Sequence, residues 1–469
     1  MTVADQTLSA AGGTAAALIG RYDRPGPRYT SYPTAVQFDE AFDEPAYRAR
    51  LRTAADSEGP LSLYVHLPFC AEQCTYCGCT MIVGRTPDVA TRYLDYLERE
   101  IALLAGHLNG RRRVVQHHWG GGTPTFLNPA QLTRLHEVIA THFDIDAAGE
   151  VAIEIDPRVT TREQLTTLRS LGFNRLSMGV QDFTSDVQEA IGRRQSEELT
   201  RGLFDFARHI GFESINLDLV YGLPRQTLST FTRTLESIIA MQPDRVAVYS
   251  YAHVPWLRPH QKRIDASELP QAGLKAGLIG AAVDAFGDAG YAAIGMDHFA
   301  RPDDELAVAA RERRLYRNFM GYTTHPAPDM LATGVSAIGD VSGAYTQNTK
   351  KLSRYYASLD AGRFPIERGY ALLSDDLVRR HVIMELMCNF RLDRGQAGDM
   401  FDIDFDRYFA HELDELQAPG GPVDDGLLEI SADALEVTTR GRIFVRNICM
   451  AFDAYLAGVQ QPSAFSRTI

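Results

Sequence analysis

Residues 61–79 read Leu-Ser-Leu-Tyr-Val-His-Leu-Pro-Phe-Cys-Ala-Glu-Gln-Cys-Thr-Tyr-Cys-Gly-Cys. The apolar run 61–69 has the character of a buried strand. Cys70, Cys74 and Cys77 follow it at C-x3-C-x2-C spacing, with Cys79 close behind. The other two of the six cysteines, Cys388 and Cys449, lie more than 300 residues away. Three thiolates on one tight loop at a strand's end can hold three irons of a cubane [4Fe–4S] cluster, which leaves the fourth iron open to a small molecule. A structural zinc site competes, because Cys79 supplies a fourth sulfur. Such sites usually draw ligands from two separated pairs that staple distant segments, and four ligands within ten residues staple nothing. Disulfides are disfavoured by the scatter of the remaining cysteines and the lack of a secretory signal.

Working outward, short apolar stretches alternate with helical ones up to Ala252. Strands are expected at 61–69, 114–119, 150–156, 175–180, 214–221 and 245–251. Helices are expected at 88–104, 129–142, 162–171, 197–210 and 228–241. Six such repeats imply parallel strands with helical crossovers, and we read them as an α/β fold, a partial (β/α)6 barrel. Functional residues of such barrels sit at the C-terminal strand ends. There the sequence places the cysteine loop, Gly120-Gly-Gly-Thr-Pro124, Glu154-Ile-Asp-Pro157, Gln181-Asp182, Asp218-Leu-Val-Tyr-Gly222 and Tyr251-Ala-His253. The glycine run would let backbone approach a ligand. It matches neither a Walker loop nor a dinucleotide fingerprint. Glu154, Asp156 and Asp218 could bind ribose hydroxyls or an ammonium group, or could instead cap helices or pair with Arg175 or Arg193.

The chain has 469 residues, a 45% hydrophobic share and a net charge of −13. That balance argues against general binding to nucleic acid or anionic membranes. No stretch approaches the roughly 20 apolar residues of a membrane span. Met1 to Gly20 reads as a tail rather than a signal peptide, so a cytoplasmic setting is expected. Residues 1–55 read as an N-terminal extension or lid, 56–300 as the barrel and 301–370 as a connecting region completing the site. Residues 371–469 read as a small, mostly helical, winged-helix-like domain. It begins with a helical block at 375–388 and ends in a helix near 440–456. A monomer is expected.

Longer motifs carry a family resemblance. The cysteine spacing, with Tyr76 before the last ligand and a glycine-rich strand end after it, resembles the radical S-adenosylmethionine (SAM) superfamily. Several segments resemble the oxygen-independent coproporphyrinogen III oxidase family: Tyr64-Val-His-Leu-Pro-Phe-Cys70, His118-Trp-Gly-Gly-Gly-Thr-Pro124, Arg175-Leu-Ser-Met-Gly-Val-Gln-Asp182 and Asp218-Leu-Val-Tyr-Gly-Leu-Pro224. So do Gly295-Met-Asp-His-Phe-Ala-Arg-Pro-Asp-Asp304 and Pro27-Arg-Tyr-Thr-Ser-Tyr-Pro-Thr34. The likeness runs from about Arg21 to Leu456.

The resemblance implies that Cys70, Cys74 and Cys77 ligate a [4Fe–4S] cluster, with Cys79 a non-ligand neighbour. It implies two SAM molecules, the first lined by Tyr64, Gly121 and Glu154. The second would be lined by Tyr76, Gly122, Thr123, Gln181, Arg193, Asp218, Ala252 and Ile338. No catalytic residue is implied beyond these cofactors. Reductive cleavage of SAM would give a 5′-deoxyadenosyl radical that converts two propionates of coproporphyrinogen III to vinyl groups, yielding protoporphyrinogen IX. A low-potential flavodoxin- or ferredoxin-type protein would supply the electron. One departure is Met320, where the family pattern has Gln. Haem-binding relatives that keep the cluster motif form the alternative. They tend to be shorter, to lack the 27–34 segment and to carry an aromatic residue at the position of Cys79, whereas this chain has the segment and has Cys79. After anaerobic reconstitution, Cys70→Ser should abolish cluster-dependent activity, and Cys79→Ser should keep iron content close to wild type. Full iron loss in Cys79→Ser would overturn the ligand assignment.

Overall fold

The computed structural model describes residues 15–84, 88–456, 465, 467 and 468. All six expected strands form: β1 (Leu61–Leu67), β2 (Arg113–Gly121), β3 (Asp144–Ile155), β4 (Arg175–Gln181), β5 (Ser214–Tyr221) and β6 (Arg245–Ser250). They run parallel and side by side in chain order. Helices α1 (Asp88–Ala105), α2 (Pro129–His142), α3 (Arg162–Ser170), α4 (Glu197–His209) and α5 (Leu228–Met241) lie in the crossovers. Boundaries follow local chemistry. Asn128 and Gln131 form a reciprocal capping box with Pro129 at the first turn of α2. Thr227 caps α5, and Gln242 ends it in the left-handed region, with φ 55°.

β3 is longer than expected because its first half is polar and half-exposed. It is accommodated by a shift in the β2–β3 register between Val114 and Gln116. Gly149 allows this, since a Cβ there would lie 2.5 Å from the Val115 carbonyl oxygen.

The sheet does not stop at six strands. β7 (Ala292–Gly295) and β8 (His298–Ala300) extend it antiparallel beyond β6. At the other edge β9 (Asp329–Thr333) pairs parallel with β1. β10 (Ile338–Asp340), β11 (Ala344–Asn348) and β12 (Ile366–Ala371) continue antiparallel from it. The order is β12-β11-β10-β9-β1-β2-β3-β4-β5-β6-β8-β7, so the barrel is open and the 301–370 region supplies one wing of it.

Alternation sorts the two faces. Val151, Ile153, Leu176, Met178, Ile215, Leu217, Val246 and Val248 are buried in the main core. Glu150, Glu154, Arg175, Ser177, Asn216, Asp218, Arg245 and Tyr249 point the other way and line an internal cavity of about 310 Å3. Ser62 donates to Gln116 (3.0 Å), which donates to Glu150 (3.0 Å). The Tyr316–Asn318/Gly321–Thr323 hairpin joins this chain through Asn318 to Gln116 (2.9 Å) and Thr323 to Glu150 (3.2 Å). That anchorage puts Phe319 and Met320 in the cavity wall.

A second core lies in the C-terminal region, around the helix Ser374–Asn389 and an antiparallel sheet of Arg391–Asp393, Ala434–Val437 and Leu428–Ile430. The long final helix expected at 440–456 is instead a 3-10 turn, Arg440–Phe444, followed by the short helix Val445–Met450. Of the expected N-terminal tail, residues 1–14 lie outside the described residues, and Ala15–Tyr22 is helical. Leu18, Tyr22, Tyr29 and Tyr32 bury themselves among Val382, Leu386 and Phe444 of the C-terminal core, which explains that order. By contrast Tyr47 and Leu51, on the helix Glu44–Ala55, join the main core.

Glu100 on α1 ties this helix to the added wing. It accepts from Gly334 N–H (2.7 Å), Asn348 (2.6 Å) and the Tyr355 hydroxyl (2.6 Å). Burial pushes its carboxyl up to about 7 against these three donors. The folded state therefore holds the proton longer than the unfolded chain. The associated stability is complete below about pH 4.5 and lost as pH rises through 7, on the order of 3 kcal/mol in all. Urea titrations at pH 5 and 7.5 should show that loss in wild type and a much flatter profile in Glu100→Gln. Parallel profiles would mean that Glu100 stays charged throughout.

Candidate active site

The cysteine loop leaves β1 through Pro68 and is held from three sides. On its β2 side, Thr123 Oγ1 lies 3.4 Å from Cys70 Sγ, and Thr123 N–H donates to the Phe69 carbonyl at 2.8 Å. From β3 and β4, Asp156 pairs with Arg193 (2.9 Å) and Arg158 (2.7 Å). These guanidinium groups in turn donate to Cys74 Sγ at 3.8 and 3.5 Å. Arg193 also donates to the Gly179 carbonyl at 2.7 Å. From the segment after β6, Gln261 donates to the carbonyls of Tyr76 (3.0 Å) and Ala252 (3.2 Å), and His260 Nε2 meets the Cys77 carbonyl at 2.7 Å.

This donor set fits an iron–sulfur cluster. All four cysteines of the loop are free; Cys74 and Cys77 each accept a hydrogen bond on sulfur, and Cys70 shares one with the Thr123 hydroxyl. Such contacts tune a cluster's potential. Among the described residues, no three of the loop's sulfurs lie within 4.8 Å of one another. They therefore do not converge as ligands of a single ion. Cys77 is lowered to about 7, chiefly by its hydrogen bond with Cys79, whereas burial pushes Cys70 up to about 11.

The glycine run serves packing as well as access. At Gly121, with φ 117°, a Cβ would fall 2.5 Å from the His66 ring, and one on Gly122 would lie 2.6 Å from the Pro68 backbone. Gly121 N–H donates to Glu154 at 3.0 Å, and His118 Nε2 lies 3.4 Å from the same carboxylate. Burial pushes Glu154 up, but His118 and the Gly121 N–H outweigh it and hold the carboxyl below its ordinary value. Tyr64 stacks on His118 with centroids 6.0 Å apart, and its hydroxyl meets His66 Nδ1 at 3.0 Å. Deeper in, Asp218 accepts from Ser177 (2.9 Å) and Asn216 (2.8 Å). Burial and the nearby charge of Glu154 raise it to about 6 against the Ser177 hydrogen bond.

The structure thus gathers Tyr64, Gly121 and Glu154 in one group, and Thr123 with Cys70 in a second. A third holds Tyr76 and Ala252, and a fourth Arg193 with Cys74. Gln181 is buried beside Gly179 and Arg193, with φ 71°. Gly122 closes onto the Leu67 carbonyl (2.9 Å). Ile338 stands apart on β10, opposite Gln347 and outside the cavity lining. Arg193 does pair with Asp156, and Arg175 pairs instead with Glu305 (2.8 Å).

Sequence reasoning missed Arg158 and the contact that fixes the lid as a roof. There Arg28 pairs with Asp297, whose carboxyl is held far below its usual range by that guanidinium despite burial. Arg317 donates to the Arg28 carbonyl at 2.8 Å. The paired motifs around Arg28 and Asp297 were the available signal.

Comparison with known proteins agrees with this geometry. The model of the Radical SAM superfamily matches residues 64–238, and that of the HemN C-terminal domain matches residues 372–444. Oxygen-independent coproporphyrinogen III oxidase of Escherichia coli (strain K12) is 48% identical over 453 residues, covering 97% of this chain and 98% of that protein. The Pseudomonas aeruginosa protein of the same name is 46% identical over 454 residues, at 96% and 98% coverage. The solved E. coli coproporphyrinogen III oxidase (HemN), described as a radical SAM enzyme, superposes with a TM-score of 0.89 at 47% identity. That match covers 94% of this chain and 99% of that one. With its cysteine loop, its open barrel and its C-terminal domain all matched, the chain belongs to the oxygen-independent coproporphyrinogen III oxidase family of the radical SAM superfamily.

Proposed function

We propose that the chain performs its family's reaction, the oxygen-independent conversion of coproporphyrinogen III to protoporphyrinogen IX in haem biosynthesis. The observation that carries this is a loop of free, hydrogen-bonded cysteines at the C-terminal end of β1 in a polar-lined barrel, in a chain alike to these oxidases over nearly its whole length. Each of two propionate side chains loses a hydrogen atom from its β-carbon, then CO2 and one further electron, and becomes a vinyl group. When bound, a reduced [4Fe–4S] cluster and SAM would supply the hydrogen-atom abstraction that this needs, the electron going into cleavage of SAM.

Cys70, Cys74 and Cys77 would hold the cluster. Arg158, Arg193 and Thr123 hold the loop's shape and direct positive charge and hydrogen bonds at its sulfurs. In our reading Tyr64, Gly121 and Glu154 take up one SAM. A second lies toward Tyr76, Gly122, Thr123, Gln181, Arg193, Asp218 and Ala252, with Ile338 at its margin. The hydrogen-bonded carboxylates of Glu154 and Asp218 support this, being acceptors suited to ribose hydroxyls or an ammonium group. Met320, in the cavity wall, offers no hydrogen bond where the family pattern has Gln. We read 1–55 as an extension, 56–300 as the barrel, 301–370 as its completing region and 371–469 as the C-terminal domain. In our reading the segment Tyr22–Pro33, which places Arg28 and Thr30 in the cavity wall, closes over the substrate together with the C-terminal domain. We further read the protein as a monomer that takes electrons from a low-potential carrier protein. No helix among the described residues is long and apolar enough to cross a membrane.

The reconstituted protein, given SAM, a low-potential chemical reductant and coproporphyrinogen III without oxygen, should form protoporphyrinogen detectable by chromatography. SAM cleavage without that product would reject the reading. Asp218 is the stronger acceptor, and the only charged one, when ionised, so SAM affinity should fall as pH drops through about 6. Asp218→Asn should weaken binding by roughly ten- to a hundredfold at pH 8 and remove that pH dependence. Equilibrium dialysis at pH 5.5 and 8 measures both effects.

A further inference from the structure

We infer that the knuckle 254–263, which follows β6 and lies against the cysteine loop, is the docking surface for an acidic one-electron carrier protein. The inference rests on the proposed function, in which the cysteine loop holds a cluster that must be reduced.

The knuckle is a fixed feature. Buried Gln261 accepts from Val254 N–H at 2.6 Å and donates to the Tyr76 and Ala252 carbonyls, closing the segment on itself and onto the loop. His260 adds its contact with the Cys77 carbonyl. The outer surface is thus one turn of chain away from a ligand sulfur.

That surface has two properties of a docking site. Trp256 and Leu257 are adjacent and each 58% exposed, among the most exposed large apolar side chains described. Tryptophan and arginine are enriched where proteins bind one another. Arg258, Lys262 and Arg263 surround it and form no ion pair among the described residues. The acidic residues that follow are engaged elsewhere. Asp265 caps its own turn at Ser267 N–H (2.9 Å), and Glu268 pairs with Arg225 (2.9 Å). In a chain of net charge −13, an unpaired basic patch beside the cysteine loop selects a negatively charged partner and steers it there.

The test uses the reconstituted holoenzyme and a purified bacterial flavodoxin as the acidic carrier. Binding is followed by isothermal titration at two salt concentrations. In parallel, SAM cleavage is driven either by reduced flavodoxin or by dithionite, which needs no docking. Lys262→Glu combined with Arg263→Glu should weaken flavodoxin binding about tenfold or more at low salt. Flavodoxin-driven cleavage should fall with it, while dithionite-driven cleavage stays at the wild-type rate. Trp256→Ser should weaken binding with little change in its salt dependence. Unchanged affinity in the charge-reversed protein, or salt-insensitive binding by wild type, would overturn the inference. Failure of wild type to cleave SAM even with dithionite would instead count against the proposed function, and the titration would still decide the docking surface.

Discussion

Asp156 and Arg193 meet beneath the cysteine loop, and much of the site hangs on that contact. The carboxylate arrives from the end of β3, while the guanidinium spans from the turn after β4 to the Gly179 carbonyl and to Cys74 Sγ. One buried pair therefore registers two strand ends and the loop against each other. Burial alone would push Asp156 up. Arg193 and Arg158 hold it below its ordinary value instead, so the site keeps a fixed negative charge with two cations around it. Losing Asp156 strands the buried Arg193 guanidinium, a cost of several kcal/mol, whereas losing Arg193 leaves Asp156 with Arg158 alone. The arrangement also supplies sulfur with hydrogen bonds that come from side chains already locked in place.

A second constraint is the inverted character of the barrel. Most six-strand cores fill their interior with branched aliphatics, and this one faces its apolar residues outward under the helices. Its inner wall is layered instead. Ser62, Gln116 and Glu150 form a hydrogen-bonded floor, Ser177, Asn216 and Asp218 a middle tier, and Tyr64, His118 and Glu154 an upper one. Polar groups in such a setting are tolerated because they are mutually satisfied. They leave a polar space rather than a packed one.

How much of this could be read beforehand differed by length scale. The strands and helices of the barrel were legible because their signals are local: β5 alternates Ser-Ile-Asn-Leu-Asp-Leu from residue 214, and the helices carry their own caps. The cysteine loop, Glu154 and Asp218 were legible because strand ends announce themselves. What the sequence could not disclose was long-range pairing. Nothing in Asp329–Thr333 says that it will lie parallel to β1 rather than close a hairpin. The Arg28–Asp297 roof joins residues 269 apart. The expected final helix is split into a 3-10 turn and a short helix, and its long-range ties were equally hidden: the Asn447 and Arg446 side chains donate to the backbone carbonyls of Tyr22 and Pro27.

That last packing has a bearing on how the molecule comes into being. Tyr22 donates to Asp425, and Tyr29 to Asp453, across more than 400 residues of chain. During synthesis the segment around Tyr29 emerges long before the residues it folds upon and must wait for them. Every crossover of the barrel, by contrast, finds its neighbour within a short stretch. The barrel can therefore be complete, with its cysteines in place and its mouth open, before the roof is drawn across. The roof is then the last wall of the cavity to be made, whereas the cysteine loop keeps Cys79 exposed and Cys70 and Cys77 half-buried even in the finished fold.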